Sequence, residues 1–237
     1  MAFAKFFFIL TFELYFLQFL MENKDLIQRI WPFFIVFFCY TFLGLALTQY
    51  FGRDSLHLIF NQYHAPFFDQ FFKYYTDFGT TGFFILLICY IIYKSNWITF
   101  GYLVLTEILA AIPNTIIKKV FFKHVHRPSY YFYQKNIDLY LIPDERLQIP
   151  YTFPSGHTLL GVIITMTLCT MTKNRWLQAL FALHFPLIGL SRIYLSKHFM
   201  IDTIGGATLG LFTFIFVYYM LNNSNKKFLN NPIIKRK

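Results

Sequence analysis

The sequence predicts an all-α, polytopic membrane protein: a six-transmembrane-helix bundle with an N-terminal interfacial helix. Three observations carry that reading. The 237 residues are 57% hydrophobic and 22% aromatic, with 33 phenylalanines, and only 14% are charged. That balance is far from the average soluble domain. Apolar runs near the length of a bilayer crossing recur six times between residues 31 and 221. The charged residues collect between those runs.

Residues 2–20 are apolar but carry Lys5 and Glu13, and no small-residue cleavage site follows them. This argues against a cleaved signal peptide. Thr11, Tyr15, Gln18 and Glu22 share one helical face, so residues 1–30 are read as an interfacial helix and its linker, with a seventh span as the alternative. The six expected spans are 31–50, 78–93, 97–117, 155–172, 176–195 and 199–221. Each is about long enough for a ~30 Å hydrocarbon core, some only with tilt or snorkelling. Between the first two, aromatic and polar residues alternate too often for a crossing, and that stretch is expected along the outer interface. The 118–154 connection is the longest and carries Pro143 and Pro150, which suits a lid. Residues 222–237 form a polar, basic tail that should fray.

The formal charge is +10. Nucleic acid is the usual partner of a basic chain, but here the basic residues sit in loops beside membrane spans, where anionic lipid head groups account for them better. No nucleic acid and no obligate protein partner is expected. Cys39, Cys89 and Cys169 each fall inside an apolar run. They are too scattered for a metal site and read as helix packing, not disulfides.

Chemistry concentrates in three stretches. In Ser191–Asp202, His198 and Asp202 are four apart, which on a helix stacks them on one face. A carboxylate there can accept Nδ1–H and leave Nε2 as a nucleophile. Arg192 adds a planar fork suited to phosphate oxygens. Taken alone, the stretch is equally a charged loop at a membrane surface. Pro154-Ser155-Gly156-His157 opens an apolar run. Ser155 can cap the helix, Gly156 permits close approach, and free N–H groups there form an anion site with His157 at its rim. In isolation it is an ordinary helix start. Residues 118–128 supply Lys118, Lys119, Lys123 and Arg127 before Pro128, which would also suit a basic surface loop.

Together the three stretches resemble the type 2 phosphatidic acid phosphatase family, whose site is shared with vanadium haloperoxidases. That pattern is a lysine, six residues and Arg-Pro; then P-S-G-H; then S-R, five residues, His, three residues, Asp. The second and third parts match residue for residue, over a resemblance spanning roughly residues 31–221. The first departs, because Lys119 to Arg127 leaves seven residues between and Lys118 leaves eight. The resemblance implies His198 as nucleophile forming a phosphohistidine, Asp202 holding its tautomer, and His157 as acid and then base. It implies Arg127, Arg192, Lys119 and the N–H groups near Ser155 and Gly156 as phosphate ligands. Lys119 is favoured over Lys123. No carboxylate cluster suggests a metal, so these cations would do a metal's work, and no cofactor is expected.

The implied substrate is a membrane lipid phosphate or diphosphate. Undecaprenyl diphosphate, phosphatidylglycerol phosphate, phosphatidic acid and lipid A phosphates all fit, and the compact length favours a bacterial envelope lipid. A lipid phosphotransferase is the alternative, ahead of a haloperoxidase and a non-enzymatic channel or scaffold. Helix parity places all three motifs on one side of the membrane. The 21 basic residues divide almost evenly between the two sides. Several on the motif side are accounted for by the site, so the tail is placed in the cytoplasm and the site on the periplasmic or outer side of the cell (inner) membrane. Two intramembrane groups stand outside the motifs. Glu107 and His184 are expected at similar depth, as a hydrogen-bonded clasp, as a protonated Glu107 bonded elsewhere, or as a polar floor under the cleft.

Overall fold

A computed structural model describes residues 24–143, 151–224 and 226–234. The expected N-terminal helix at 2–20 and part of the expected lid, 144–150, lie outside the described residues. The described chain is helical. Its α-helices are α1 (Lys24–Phe51), α2 (Arg53–Gln62), α3 (Pro66–Tyr75), α4 (Thr81–Lys94), α5 (Trp97–Ile116), α6 (Pro128–Tyr133), α7 (Gly156–Thr170), α8 (Arg175–Ala182), α9 (His184–Tyr194) and α10 (Met200–Asn222). A 3-10 turn, Thr76–Gly79, joins α3 to α4, and a π turn, Ile117–Phe121, extends α5.

Among the described residues, four helices are long and apolar enough to cross a membrane: Lys24–Phe51, Trp97–Phe121, Arg175–Tyr194 and Met200–Asn222. A fifth crossing follows if Pro66–Gly79 and Thr81–Lys94, which meet at 53°, count as one broken span. The run expected at 155–172 is the 15-residue α7, roughly 22 Å long at ~1.5 Å per residue. It is buried along nearly its whole length by α5, α9 and α10. Neighbouring protein rather than lipid surrounds it, so the bilayer does not dictate its length. The stretch between the first two expected spans forms the amphipathic helices α2 and α3, with Phe67, Phe68, Phe71 and Tyr74 exposed.

α7 and α10 form the centre. Their approach depends on Gly206 and Gly210, one turn apart on α10. A Cβ on Gly206 would fall 2.1 Å from the Ser155 carbonyl oxygen, and one on Gly210 would fall 2.8 Å from that of Leu159. Small residues at this spacing let two membrane helices touch backbone to backbone. The contact brings the start of α7 against α10, and Ser155 N–H donates to the Asp202 carbonyl at 2.9 Å. Phe33, Phe37, Tyr102, Phe185 and Phe214 fill the core on the far side of this pair.

The Glu107–His184 clasp does not form. His184 Nδ1 pairs with Tyr75 Oη at 3.1 Å, and its ring packs against Tyr75 and Phe83. α9 lies against α7 and α3, whereas α5 lies against α7 and α10, so α7 stands between the two residues. Among the described residues, Glu107 Oε2 is buried without a partner.

Candidate active site

α9 ends at Tyr194, and the chain reverses through Ser196, held at φ 50°, a backbone shape that non-glycine residues seldom adopt. The N–H groups of Lys197 and His198 then both donate to the Arg192 carbonyl, at 2.9 and 3.1 Å. This reversal tucks His198 beneath Arg192, where it is 2% exposed. α10 starts at once, and Asp202 caps it by accepting from Phe199 N–H at 2.9 Å.

Asp202 Oδ2 lies 3.8 Å from His198 Nδ1, beyond hydrogen-bond length. Thr152 fills the interval. Its hydroxyl donates to Asp202 Oδ2 at 2.5 Å and stands 3.4 Å from His198 Nδ1. With Nδ1 protonated, ring, hydroxyl and carboxylate form one line, which leaves Nε2 as the basic nitrogen. Burial pushes the His198 imidazole down to about 3, against the pull of Asp202. The ring is therefore neutral near pH 7, as a nitrogen nucleophile must be.

The P-S-G-H stretch starts α7. Ser155 Oγ accepts from Thr158 N–H at 3.5 Å and from its hydroxyl at 3.0 Å. The Lys118 ammonium and the Asn114 amide nitrogen each lie 3.5 Å from where a Gly156 Cβ would sit. Arg192, His198, Lys197 and Arg127 all act electrostatically on His157. Arg127, Asp202 and Arg192 likewise act on Lys118. Arg192 Nη1 donates to Thr76 Oγ1 at 2.8 Å, which ties the α3–α4 turn to the cluster.

The structure thus brings together His157, His198, Asp202, Arg127, Arg192, Ser155 and Gly156. It does not bring in Lys119, which is exposed, as is Lys123; the half-buried Lys118 stands in that place instead. The reason is local. Phe122 N–H donates to the Ile117 carbonyl at 3.0 Å, five residues back. This wider turn holds more residues than an α turn, so it takes up part of the first motif's extra length and shifts the inward lysine. A face shared by Lys119, Lys123 and Arg127 is not built, because the helix ends at Phe121 and Arg127 is extended at ψ 155°. Pro128 imposes that shape on its predecessor.

Sequence reasoning missed Thr152, Thr76 and Asn114. A lone threonine or asparagine carries no signal until the fold sets it beside a motif. Asn114 alone had one, lying four residues before Lys118 on the same helical face. Among the described residues no group of His, Cys, Asp and Glu is arranged to hold a metal ion.

A second network braces the site. Asp69 accepts from Tyr194 Oη at 2.6 Å and Tyr140 Oη at 2.8 Å, and pairs with His64 Nδ1 at 2.9 Å. Asn61 bonds both ways to the Tyr140 backbone at 2.9 Å. His57 Nε2 lies 3.1 Å from Ser196 Oγ, and burial pushes His57 down to about 4.

The chain shares 32% identity over 76 residues with phosphatidylglycerophosphatase B of Bacillus subtilis (strain 168), covering 28% of this chain and 37% of that relative. The match therefore spans little more than a third of the relative's length. The crystal structure of Aquifex aeolicus LpxE superposes with a TM-score of 0.59 at 24% identity, over 68% of this chain and 92% of that one. A transmembrane PAP2-type phosphatidylglycerolphosphate phosphatase from Bacillus subtilis gives a TM-score of 0.59 at 18% identity, over 84% of this chain and all of that one. At such identities the likeness is one of fold. The family model of the PAP2 superfamily matches residues 98–226. That range is more than half the chain and contains all three motifs, and this integral membrane protein belongs to the PAP2 superfamily.

Proposed function

We propose that the chain is a membrane lipid phosphatase, hydrolysing a phosphomonoester or diphosphate on an envelope lipid through a phosphohistidine. The observation that carries this is a buried His198 backed by Thr152 and Asp202, in one charge cluster with Arg127 and Arg192, beside the start of α7 where Lys118 approaches Gly156. In this reading His198 Nε2 attacks phosphorus in line. The P–O bond to the lipid breaks, and His157 protonates the departing oxygen. His157 then removes a proton from water, whose oxygen displaces the histidine and releases inorganic phosphate. The cations and amides hold the non-bridging oxygens while charge is redistributed. Lys118 takes the role that the family resemblance had assigned to Lys119.

Two of the relatives are named for phosphatidylglycerophosphate, which favours phosphatidylglycerol phosphate over lipid A phosphates and undecaprenyl diphosphate as the substrate. Six crossings, with the short α7 among them, would put the motifs on the outer face and the tail in the cytoplasm. The test is phosphate release from these lipids and phosphatidic acid in detergent, without an acceptor. His198→Ala should fall by about 1,000-fold or more while remaining folded. Release near the wild-type rate from that variant overturns the mechanism, and transfer of phosphate only when an acceptor lipid is supplied would make the chain a phosphotransferase.

A further inference from the structure

Pro32 has no N–H, so the Gln28 carbonyl four residues earlier loses its helical donor. α1 breaks there, with Ile30 at φ −132° and ψ 37°. Arg175 reaches both freed carbonyls, donating to Arg29 O at 2.6 Å and to Gln28 O at 3.0 Å; it also donates to Gln178 Oε1 at 2.8 Å, and Gln178 Nε2 donates to Arg29 O at 3.0 Å. Arg29 in turn donates to the Thr170 carbonyl at 2.9 Å, at the end of α7. Both guanidinium groups thus satisfy neutral carbonyls, at the break in α1 and at the end of α7. Among the described residues neither is in an ion pair with a carboxylate, although Asp25 lies one turn before Arg29. With the exposed Lys173 they line a cavity of about 580 Å³.

Beside it lies an apolar hollow of about 360 Å³, lined by Trp31, Ile35 and Trp176 and again by Arg175. Trp176 is 86% exposed. The shared arginine makes the two hollows one feature with a cationic head and an apolar trough. It lies at the Thr170 end of α7, whereas the His198 site lies at the Ser155 end, roughly 22 Å away at ~1.5 Å per residue.

We propose that this feature binds an anionic phospholipid, with its phosphate between Arg29, Lys173 and Arg175 and an acyl chain along Trp31 and Trp176. Basic pockets between membrane helices hold anionic head groups, and tryptophan belongs at the level where head group meets chain. The trough selects a lipid over free phosphate. The proposal does not depend on the reaction at His198.

The test measures lipid retained by the full-length protein in detergent, by native mass spectrometry, with phosphatidylglycerol and phosphatidylcholine of matched chains. Phosphatidylglycerol should bind about tenfold tighter, and Lys173→Glu should remove about tenfold of its affinity, Lys173→Gln less. Lys173 bonds to no carbonyl among those described, so thermal stability without lipid should not change. Trp176→Ala should weaken both lipids. His157→Ala, at the other end of α7, should change neither. Equal retention of the two lipids, or retention indifferent to Lys173→Glu, overturns the proposal. Loss in His157→Ala would put the lipid at the His198 site, and displacement by about 10 mM inorganic phosphate would make the pocket a free-phosphate site; either result also overturns it.

Discussion

Lys118 and Lys119 are adjacent in sequence and opposite in surroundings. The first turns in beside Asn114 and Gly156, and the second stands at the surface. Lys118→Ala should therefore lower kcat/KM by about 100-fold, as removing a charged transition-state contact does, while Lys119→Ala stays within about twofold. Kinetics on the two single variants check this, and the reverse order would restore Lys119. Thr152 makes a finer case. Thr152→Val removes the hydroxyl between His198 Nδ1 and Asp202 Oδ2 but keeps the volume. On the proposed mechanism, turnover should fall by about tenfold with little change in KM, because His198 is retained and only its orientation is loosened. A wild-type kcat would show that Asp202 acts without it. The histidine, arginine and aspartate positions were legible from the three motifs and the family they resemble. Thr152 was not, because 46 residues separate it from His198 and 50 from Asp202.

At the scale of elements, the site depends on two contacts that no motif describes. The first is the meeting of α7 and α10. Gly206→Ala would drive a methyl into the Ser155 carbonyl, so the start of α7 must move. Activity and thermal stability should both drop. Gly82→Ala on α4, whose Cβ would meet only Thr80 Oγ1 at 3.8 Å, should be neutral or slightly stabilising. Paired melting curves and phosphate release separate the two. The second contact is the Asp69 hub, which binds α2, α3 and the 134–143 loop to the end of α9. Asp69→Ala leaves two tyrosine hydroxyls and His64 without their acceptor, at a cost of about 2–4 kcal/mol. Hydrogen exchange should quicken at 134–143 before it does in α7. That the stretch forming α2 and α3 is not a straight crossing was readable from its alternating aromatic and polar residues. The attachment of these two helices to the loop that carries His198 was not, since hydropathy records which residues avoid water and nothing about which polar groups meet.

For the whole molecule, two buried histidines outside the spans make stability depend on pH. Burial depresses His198 to about 3 and His57 to about 4, below the ~6.5 of an exposed imidazole. Below pH ~6.5 the unfolded chain therefore takes up protons that the folded chain refuses, and stability falls with pH until the folded rings protonate. The melting temperature in detergent should decline from pH 7 to pH 4, with up to about 3 kcal/mol from His57 alone. His57→Gln should flatten the decline; an unchanged slope would show that another group governs it. Turnover should survive excess chelator and be inhibited by vanadate, which adopts the five-coordinate geometry of phosphorus in transfer. Loss in chelator, restored by a divalent ion, would show that the cations do not act alone.

The helical membrane class and the three motifs are legible in the chain alone. These follow from composition, run length and spacing, all local properties of the chain. Tertiary structure decided which lysine turns inward, what stands between His198 and Asp202, and that His184 meets Tyr75 rather than Glu107. It also turned one expected span into a short helix surrounded by protein. Each of these depends on the rotation of one helix against another. That rotation is set by close packing, here at Gly206 and Gly210, and by a π turn whose extra residue per turn periodicity does not reveal.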